Sequence, residues 1–486
     1  MIFSKIAAVA IYLLVLLGVA LFSYKKNQTS SDYIIGGRGL NFWLTALAAH
    51  ASDMSSWLLM AYPAVIYTQG LFQAWIGIGL VIFMYLNWRF VAPKIRQATE
   101  KYNSMTLSSF FESRYNDTSG LIRIITALML FLFYTIYISA GLIGLGLLLE
   151  SLFNCNYHLG ITIGICVVIP YLFIGGYVTL AWTDLFQGLF LMLVCLFVPF
   201  YVLSYSIDGF HSIALAAKLN HVSLELLPDF SPYTITQILL IFGGWGLGYF
   251  GQPHIITKFM GIKKISEMKK AMYVGMSWQI ITLSCATLIG LIGIAYHPKV
   301  LVNPQLVFVS MVTEIFSPML ATFILCAIFA ATISTMDSQI LVLISSLAED
   351  FYKRVFHKNA TSKTILLVSR ISIFIVSAVA YSIAFTKFST IFSLVSYAWS
   401  GLGATFGPIL ILGLFTKSSN KYGAWAGISS GGITAAIWPY FNHLFKTDIP
   451  SIIPGFFISL AAIWVVSMLT KQKHLRLQQI LEKEQS

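Results

Sequence analysis

Apolar segments of about 20 residues, each long enough to cross a membrane as a helix, recur from one end of the chain to the other. The chain has 486 residues, of which 58% are hydrophobic and 10% are charged. Soluble domains, by contrast, carry about 25% charged residues. The sequence therefore predicts an all-α polytopic membrane protein, since no stretch is both polar and long enough to form a soluble domain.

The apolar segments predict about thirteen membrane-spanning helices. These spans cover residues 6–22, 42–65, 71–91, 124–148, 159–180, 185–205, 235–256, 271–295, 318–346, 365–383, 391–414, 424–441 and 452–469. The basic pair of the first span, Lys25 and Lys26, follows the apolar run, which is the reverse of a signal peptide. We therefore expect a retained first span with the N-terminus outside and the C-terminus in the cytoplasm.

The distribution of positive charge supports this topology. Most of the 30 Lys and Arg residues, Lys258 among them, fall in the predicted cytoplasmic connections, as the positive-inside rule requires. The lysines left outside are Lys5, Lys218, Lys299, Lys387 and Lys446. The net charge of +12 is thus explained by topology, so it indicates contact with anionic membrane lipid and not nucleic-acid binding.

One polar stretch interrupts the second span. Residues 51–57 read Ala-Ser-Asp-Met-Ser-Ser-Trp, and burying an ionised Asp53 at this depth costs about 2.5–3.5 kcal/mol. Asp53 must therefore be paired, hydrated or bound to a ligand. Interrupted, hydroxyl-rich helices at the membrane midplane are where secondary transporters bind ions and substrates. His50, one turn earlier, is predicted to be packed or bonded to water, with a proton relay as the alternative.

A second interruption is rich in glycine. Residues 243–253 contain five glycines and end in Pro253, and in a helix interior these residues cost roughly 1 and 3 kcal/mol each. Unwound backbone within a bilayer is tolerated where it lines a cavity or packs against protein. A glycine-lined helix crossing is the alternative. We favour a binding segment, because Trp245 and Tyr249 are bulky and four residues apart.

A third polar stretch covers residues 330–339. Ser334, Asp337 and Ser338 share one helix face, and their oxygens are hard ligands suited to an alkali or alkaline-earth cation. The alternative is that the hydroxyls bond carbonyls one turn back. Asp184, at the predicted start of a span, is either a further buried carboxylate or a solvated residue favoured by the helix dipole. Tyr137 is either an interfacial aromatic or part of a pocket wall.

Several motifs together resemble the sodium:solute symporter family, and within it the bacterial sodium/proline symporter branch. They are residues 36–38, 51–55, 245–254, 334–335 and 395–399. The resemblance covers essentially the whole chain and implies a fold of thirteen helices, in which helices 2–6 and 7–11 are inverted repeats. It divides the chain into a first span with its connector (1–41), the two repeats (42–207 and 233–415), two last spans (416–470) and a cytoplasmic tail (471–486).

The resemblance also implies roles for individual residues. A sodium site would use Ala51, Met54, Ala331, Ser334 and Thr335. A second cation site would use Asp184, Ser334, Asp337 and Ser338, and Asp53 and Arg38 would serve coupling. The substrate-side residues would be Ser55, Trp57, Tyr137, Trp245, Tyr249 and Pro253.

The expected function is sodium-coupled import of L-proline across the bacterial inner membrane, with Na⁺ as the coupling ion and no cofactor. A sodium- or proton-coupled symporter of another amino acid, a carboxylate or a sugar is the alternative. A channel is disfavoured because the polar groups cluster near the midplane, and a sensor because the tail leaves no room for a signalling module. The sequence contains no nucleophile–base pair or cofactor motif that would indicate an enzyme, and it indicates no obligatory protein partner.

Overall fold

The computed structural model describes residues 2–24, 30–174, 176–297, 299–357 and 359–471. Within these ranges the chain is built from helices, and the one β-type contact is an isolated bridge between Leu40 and Ile262. The all-α prediction is confirmed. The basic pair at 25–26 and residues 472–486 of the predicted tail lie outside the described residues.

The α-helices are numbered in chain order. They are α1 (Ile2–Ser23), α2 (Ser30–Ile35), α3 (Phe42–Met54), α4 (Tyr62–Gln69), α5 (Trp75–Leu86), α6 (Ala92–Lys101), α7 (Leu107–Tyr115), α8 (Leu121–Phe153), α9 (Tyr157–Ile174), α10 (Tyr177–Tyr205), α11 (Gly209–Leu219), α12 (Pro232–Gly246), α13 (Pro253–Met260), α14 (Met268–Tyr296), α15 (Val307–Ile315), α16 (Pro318–Ser345), α17 (Lys353–Val355), α18 (Ser362–Phe385), α19 (Ile391–Phe415), α20 (Lys421–Phe445) and α21 (Ile452–Leu469). Short 3₁₀ and π segments join several of them.

Nine helical segments in the described ranges are long and apolar enough to cross a membrane. The chain is therefore a multi-pass membrane protein. The other predicted spans coincide with α3 and α4, with α9, with α12 and α13, and with α20. They are broken, shorter or less apolar, so the count of thirteen spans stays a prediction.

One predicted boundary is wrong. Helix α9 ends at Ile174 and α10 begins at Tyr177, whereas the apolar pattern places the connection between residues 180 and 185. Gly176 is extended, with φ −145°, and glycine is a poor helix former. Asp184 consequently lies two turns inside α10 and not at its start.

The interruption of the second span is confirmed. Helix α3 ends at Met54, and Ser55 adopts φ 51° and ψ −169°, a conformation that is rare for a residue with a Cβ. A π-helical turn at Trp57–Ala61 then leads into α4. The backbone N–H of Ser55 donates to the Thr335 hydroxyl at 2.9 Å, so the break is held against α16.

The glycine-rich interruption is also confirmed. Helix α12 passes into a 3₁₀ segment at Leu247–Gly251, Gln252 is extended, and α13 begins at Pro253. Proline suits this first helical position because its missing N–H would have no partner there. The Gln252 side-chain amide donates to the carbonyl of Trp399 at 3.1 Å, which fixes the break against α19.

The same glycines also provide the close helix crossing that was the alternative interpretation. A Cβ on Gly251 would lie 2.7 Å from backbone atoms of Gly403 and Gly407, and a Cβ on Gly248 would overlap the indole of Trp399. Small residues therefore let this segment approach α19 closely. The segment therefore packs closely against α19, and its Trp245 and Tyr249 side chains also line a cavity.

Helix α16 runs through the centre of the molecule. Every residue from 324 to 341 is buried, and the helix contacts α1, α3, α8, α10 and α13. Polar side chains on a helix that is buried all round cannot reach water, and leaving them unpaired is costly. Any partners of its hydroxyls and of Asp337 must therefore lie inside the protein.

The two ends of α8 show how the charged connections are arranged. Near its start, Arg123 pairs with Glu112 at 2.6 Å. Near its end, Glu150 pairs with Lys387 at 3.4 Å, and Lys5 donates to the Leu152 carbonyl. Arg123 thus lies at the end opposite to Lys5 and Lys387, as the charge pattern predicts. The orientation in the membrane stays a prediction.

Candidate substrate and cation site

The end of α3 presents unpaired carbonyl groups to α16. Residues 51–54 form the last turn of α3, and the last four carbonyls of a helix have no partner within it. The Ser334 hydroxyl donates to the Ala51 carbonyl at 2.9 Å. The C-terminal end of a helix also carries partial negative charge, which attracts a cation.

Four of the five predicted sodium ligands are linked by hydrogen bonds. Both Ser334 and Thr335 donate to the Ala331 carbonyl, at 3.1 and 2.9 Å, and Ser334 also reaches Ala51. The hydroxyls thus do bond a carbonyl one turn back, as the alternative interpretation held, but they also connect two helices. Met54, the fifth predicted ligand, closes α3. A cluster of hydroxyl and carbonyl oxygens of this kind suits a hard cation.

Asp53 pairs with the second broken segment. The Tyr249 hydroxyl donates to Asp53 Oδ2 at 2.5 Å, and the Gln279 side-chain amide donates to that hydroxyl at 2.9 Å. Asn87 donates to the backbone carbonyl of Tyr249 at 3.0 Å. All four residues are buried. Asp53 therefore joins the end of α3 to the 3₁₀ segment that follows α12.

Aromatic side chains enclose a small cavity beside Asp53. The Trp57 and Trp245 rings are 5.0 Å apart, and the Tyr249 and Trp399 rings are 5.1 Å apart. The cavity is lined by Asp53, Met54, Trp57, Leu80, Tyr137, Trp245, Tyr249, Val395 and Trp399. Its volume of about 10 Å³ is at the lower limit for one water molecule. In this conformation the cavity therefore has no room for a substrate.

The structure brings together most of the predicted substrate-side residues, but not all. Trp57, Tyr137, Trp245 and Tyr249 line the aromatic cavity. Tyr137 is thus part of a pocket wall. Pro253 lines a different cavity, near Thr257 and Ser338, and the backbone of Ser55 bonds Thr335.

Two further predicted residues lie outside the cavity. Arg38 donates to the carbonyls of Thr99 and Ser104 at 2.7 and 3.0 Å, so it ties the connector before α3 to the end of α6. His50 accepts a hydrogen bond from the Trp88 indole at 3.0 Å. It is also packed near Trp278, which fits the predicted packing role.

The predicted second cation site contains an unexpected ammonium group. Lys258 Nζ lies 2.9 Å from Asp184 Oδ2, and both side chains are at most 2% exposed. Asp184 is therefore a buried, paired carboxylate, and its interpretation as a solvated residue at a helix start is wrong. The assignment of Lys258 to a cytoplasmic connection is also wrong, because α13 continues to Met260.

Sequence reasoning missed three polar or aromatic partners at these sites. Gln279 and Asn87 are polar residues inside apolar spans, a signal that was available. Trp399 belongs to a motif used for the family resemblance, yet its place in the cavity wall was not predicted. Its indole donates to the Trp245 carbonyl at 2.8 Å.

Comparisons with known proteins show which family the sequence resembles. Residues 33–431 match the sodium:solute symporter family. The chain is 39% identical to the high-affinity proline transporter PutP of Bacillus subtilis (strain 168), over 93% of this chain and 95% of that protein. It is 38% identical to the sodium/proline symporter of Staphylococcus aureus (strain JH9), over 96% of this chain and 92% of that protein.

Solved structures show the same fold. A Na⁺-coupled sialic acid symporter in a substrate-bound outward-open state superposes with a TM-score of 0.81 and 20% identity, covering 96% of this chain and 98% of that one. MhsT in complex with L-phenylalanine gives a TM-score of 0.57 and 14% identity over 87% and 97%. Transporters of this fold are built from inverted repeats, with binding sites at their broken helices. The family match and the extent of the identities lead to one conclusion: the chain belongs to the sodium:solute symporter family.

Proposed function

We propose that the protein is a secondary active transporter that imports L-proline together with Na⁺ across the bacterial inner membrane. The similar proteins from Bacillus subtilis and Staphylococcus aureus carry proline in their names and cover nearly the whole chain. The observation that best supports sodium coupling is the 2.9 Å contact between the Ser334 hydroxyl and the Ala51 carbonyl. This contact supports a cation site at the point where a hydroxyl of α16 meets the free carbonyl end of α3.

The core sodium site consists of the Ala51, Met54 and Ala331 carbonyls and the Ser334 and Thr335 hydroxyls. When Na⁺ binds, these hydroxyls present their oxygen lone pairs to the ion, and the hydrogen bonds between them and the carbonyls are replaced by ion–oxygen contacts. The ion then holds the end of α3 against α16. Because Thr335 also bonds the Ser55 N–H, the geometry of the break in the second span depends on this site.

The aromatic cavity takes the substrate. The walls formed by Trp57, Trp245 and Tyr137 suit an apolar pyrrolidine ring, and the unwound backbone can meet amino and carboxylate groups. The Trp57 indole N–H is buried and has no hydrogen-bond partner among the described residues. It is a donor that a substrate carboxylate can use, since a buried unpaired donor is costly.

Coupling follows from the short connection between the two sites. Asp53 and Met54 line the aromatic cavity, while the Ala51 carbonyl bonds Ser334, so one turn of α3 serves both ligands. A sodium ion that fixes this turn also fixes Asp53 and, through it, Tyr249. Each ligand therefore lowers the cost of ordering the site for the other.

Uptake of radiolabelled L-proline into proteoliposomes tests this function. We expect uptake that depends on an inward sodium gradient and stops when sodium is replaced by choline. Uptake driven by a proton gradient and indifferent to sodium would refute the coupling. A competition panel of other amino acids, carboxylates and sugars identifies the substrate, and failure of proline to bind would favour one of those solutes.

The inverted repeats are proposed to cover residues 42–207 and 233–415, with 1–41 as the first span and its connector, 416–470 as the last two spans and 471–486 as the cytoplasmic tail. On this division Asp53 and Tyr249 lie in corresponding first helices of the two repeats. Their hydrogen bond then joins the repeats at the midplane, where transporters of this fold bind their substrates.

A further inference from the structure

A buried ion pair joins two of the helices that pack against α16. Asp184 on α10 pairs with Lys258 on α13 at 2.9 Å. Asp337 lies on α16 next to Ser338, which lines one cavity together with Lys258. The three charged residues are 0–1% exposed. The cluster therefore comprises two buried carboxylates and one buried ammonium.

The ammonium of Lys258 is held in place from two sides. Besides its contact with Asp184, it lies 5.3 Å from the centre of the Tyr177 ring, within the range of a cation–π interaction. The Tyr177 hydroxyl donates to the carbonyl of the neighbouring Thr257 at 2.7 Å. Lys258 is thus built into this site and does not reach toward the membrane surface.

Oxygen atoms in the cluster are left without partners. Asp184 Oδ1, Asp337 Oδ1 and the Ser338 hydroxyl are buried and have no hydrogen bond within the described parts of the chain. Ser338 and Lys258 line one cavity of about 20 Å³, which is room for a single water-sized occupant. The unpaired Ser338 hydroxyl in the wall of such a cavity is a hard oxygen that suits a small cation.

We propose that the Lys258 ammonium is a tethered cation that occupies one of the two cation positions that the Asp184–Asp337 pair would otherwise offer to Na⁺. This rests on the proposed function, because it concerns the number of sodium ions that accompany the substrate. Two carboxylates can neutralise two monovalent cations. Lys258 neutralises Asp184, which leaves Asp337, with Ser338 and Ser334, as the part of the second site open to a mobile ion.

The physical reason for a tethered ion is its constant presence. Removing one partner of a buried ion pair is strongly destabilising, so an Asp184 that depended on a dissociable sodium ion would be destabilised whenever the ion left. The ammonium of Lys258 cannot diffuse away. It therefore keeps α10 and α13 joined throughout the transport cycle and removes one sodium ion from the stoichiometry.

The number of sodium ions bound per chain tests the proposal, because the proposal expects a different result for each of two variants. Binding of radiolabelled sodium to purified protein gives the number of ions per chain for the wild type, Lys258→Met and Asp184→Asn. We expect Lys258→Met to bind one sodium ion more than the wild type, because Asp184 is released. We expect Asp184→Asn to lose none, because that carboxylate holds Lys258 and not sodium.

Two controls separate charge from packing. Lys258→Arg keeps the positive charge and should bind as many sodium ions as the wild type, as should the double variant Lys258→Met/Asp184→Asn, which removes both charges. An unchanged count in Lys258→Met, or one ion fewer in Asp184→Asn, would overturn the proposal. Should Lys258→Met not fold, Lys258→Gln removes the same charge with a polar side chain and takes its place in the count.

Proline uptake is measured on the same preparations. Wild-type protein that binds sodium but does not take up proline would refute the proposed substrate and leave the sodium counts interpretable. Sodium-coupled uptake with an unchanged count in Lys258→Met would refute the role of Lys258 alone.

Discussion

Thr335 lies where the broken second span meets α16. Its hydroxyl donates to the Ala331 carbonyl and accepts from the Ser55 N–H, both at 2.9 Å. Ser55 has φ 51°, and a non-glycine residue in such a region costs about 1–3 kcal/mol unless its surroundings hold it there. One hydroxyl thus belongs to the proposed sodium site and stabilises the strained turn beside it.

Thr335→Ala should raise the sodium concentration that gives half-maximal proline uptake by about tenfold, since a buried donor or acceptor left unpaired costs about 1–3 kcal/mol and 1.4 kcal/mol is a factor of ten. Thr335→Ser keeps the hydroxyl and is the matched control, with a sodium dependence close to that of the wild type. Sodium-dependent uptake measured at equal protein abundance checks both. An unshifted sodium dependence in Thr335→Ala would remove Thr335 from the site.

Asp337→Ser should keep sodium-dependent proline uptake and change mainly the number of cations bound or the charge moved per proline. Asp337 lies one turn beyond Ser334 on α16, and the hydrogen bonds that link the core ligands do not involve it. Sodium titration of uptake, compared with Thr335→Ala, checks this. If Asp337→Ser abolished sodium-dependent binding as fully as Thr335→Ala while staying folded, a single site around the carboxylate would be the better description.

At the scale of elements, the two broken helices could be predicted because each violates a simple rule. A carboxylate and three serines lie within one apolar run, and five glycines and a proline lie within another. Neither composition suits an uninterrupted span. Chain-local patterns do not give the partner across the fold, however. The pairing of Asp53 with Tyr249 depends on how two distant segments pack.

The same limit explains the error at Lys258. A lysine just after an apolar run is normally assigned to the adjacent connection, since charge inside a span is costly. Here α13 continues to Met260, and Lys258 is paired with Asp184, 74 positions earlier in the chain. Asp184 was itself displaced in the prediction because the helix break at Gly176 was missed. Both charged residues were misplaced in the sequence-based prediction, and the fold shows that they form one ion pair.

Gly248→Ala should impair proline uptake, because a Cβ at this position overlaps the Trp399 indole. The indole donates to the Trp245 carbonyl and forms part of the cavity wall, so its displacement deforms the site. Gly243→Ala is the control in the same segment, because its Cβ would meet only a Leu247 methyl group at 4.0 Å. Uptake and thermal stability in detergent should separate the two variants, and equal behaviour would argue against the close approach of α19.

At the scale of the whole molecule, ion pairs close the end at which α8 begins. Glu112 on α7 contacts Arg123 at 2.6 Å and Arg354 at 3.3 Å. Arg123 also lies 3.5 Å from the buried Asp350. These contacts join the first proposed repeat to the segment after α16 in the second. In the predicted orientation, a transporter that alternates its access between repeats must open this end for release to the cytoplasm.

The ion pairs border the cavity that contains Lys258. Thr106 donates to Asp350 Oδ1 at 3.0 Å, and Thr106, Ser108, Ser345 and Ser346 line that cavity. Hydroxyl groups thus line the cavity between Lys258 and the ion pairs at the end where α8 begins. In the predicted orientation, opening of the ion pairs would connect this cavity to the cytoplasm. The rate at which a reagent from the cytoplasm reaches the cavity therefore reports how far this end is closed.

Glu112→Gln should therefore favour the conformation open to the cytoplasm, because it weakens two ion pairs without changing the size of the side chain. A cysteine introduced at Ser345, which is 2% exposed, should react faster with a membrane-impermeant thiol reagent applied from the cytoplasmic side in Glu112→Gln than in the parent protein. Lys387→Met is the matched control, because it breaks the pair with Glu150 at the opposite end. It should leave the labelling rate of that cysteine unchanged. Equal labelling in Glu112→Gln and its parent would show that these ion pairs do not keep the cytoplasmic end closed, and slower labelling would assign them to the open state.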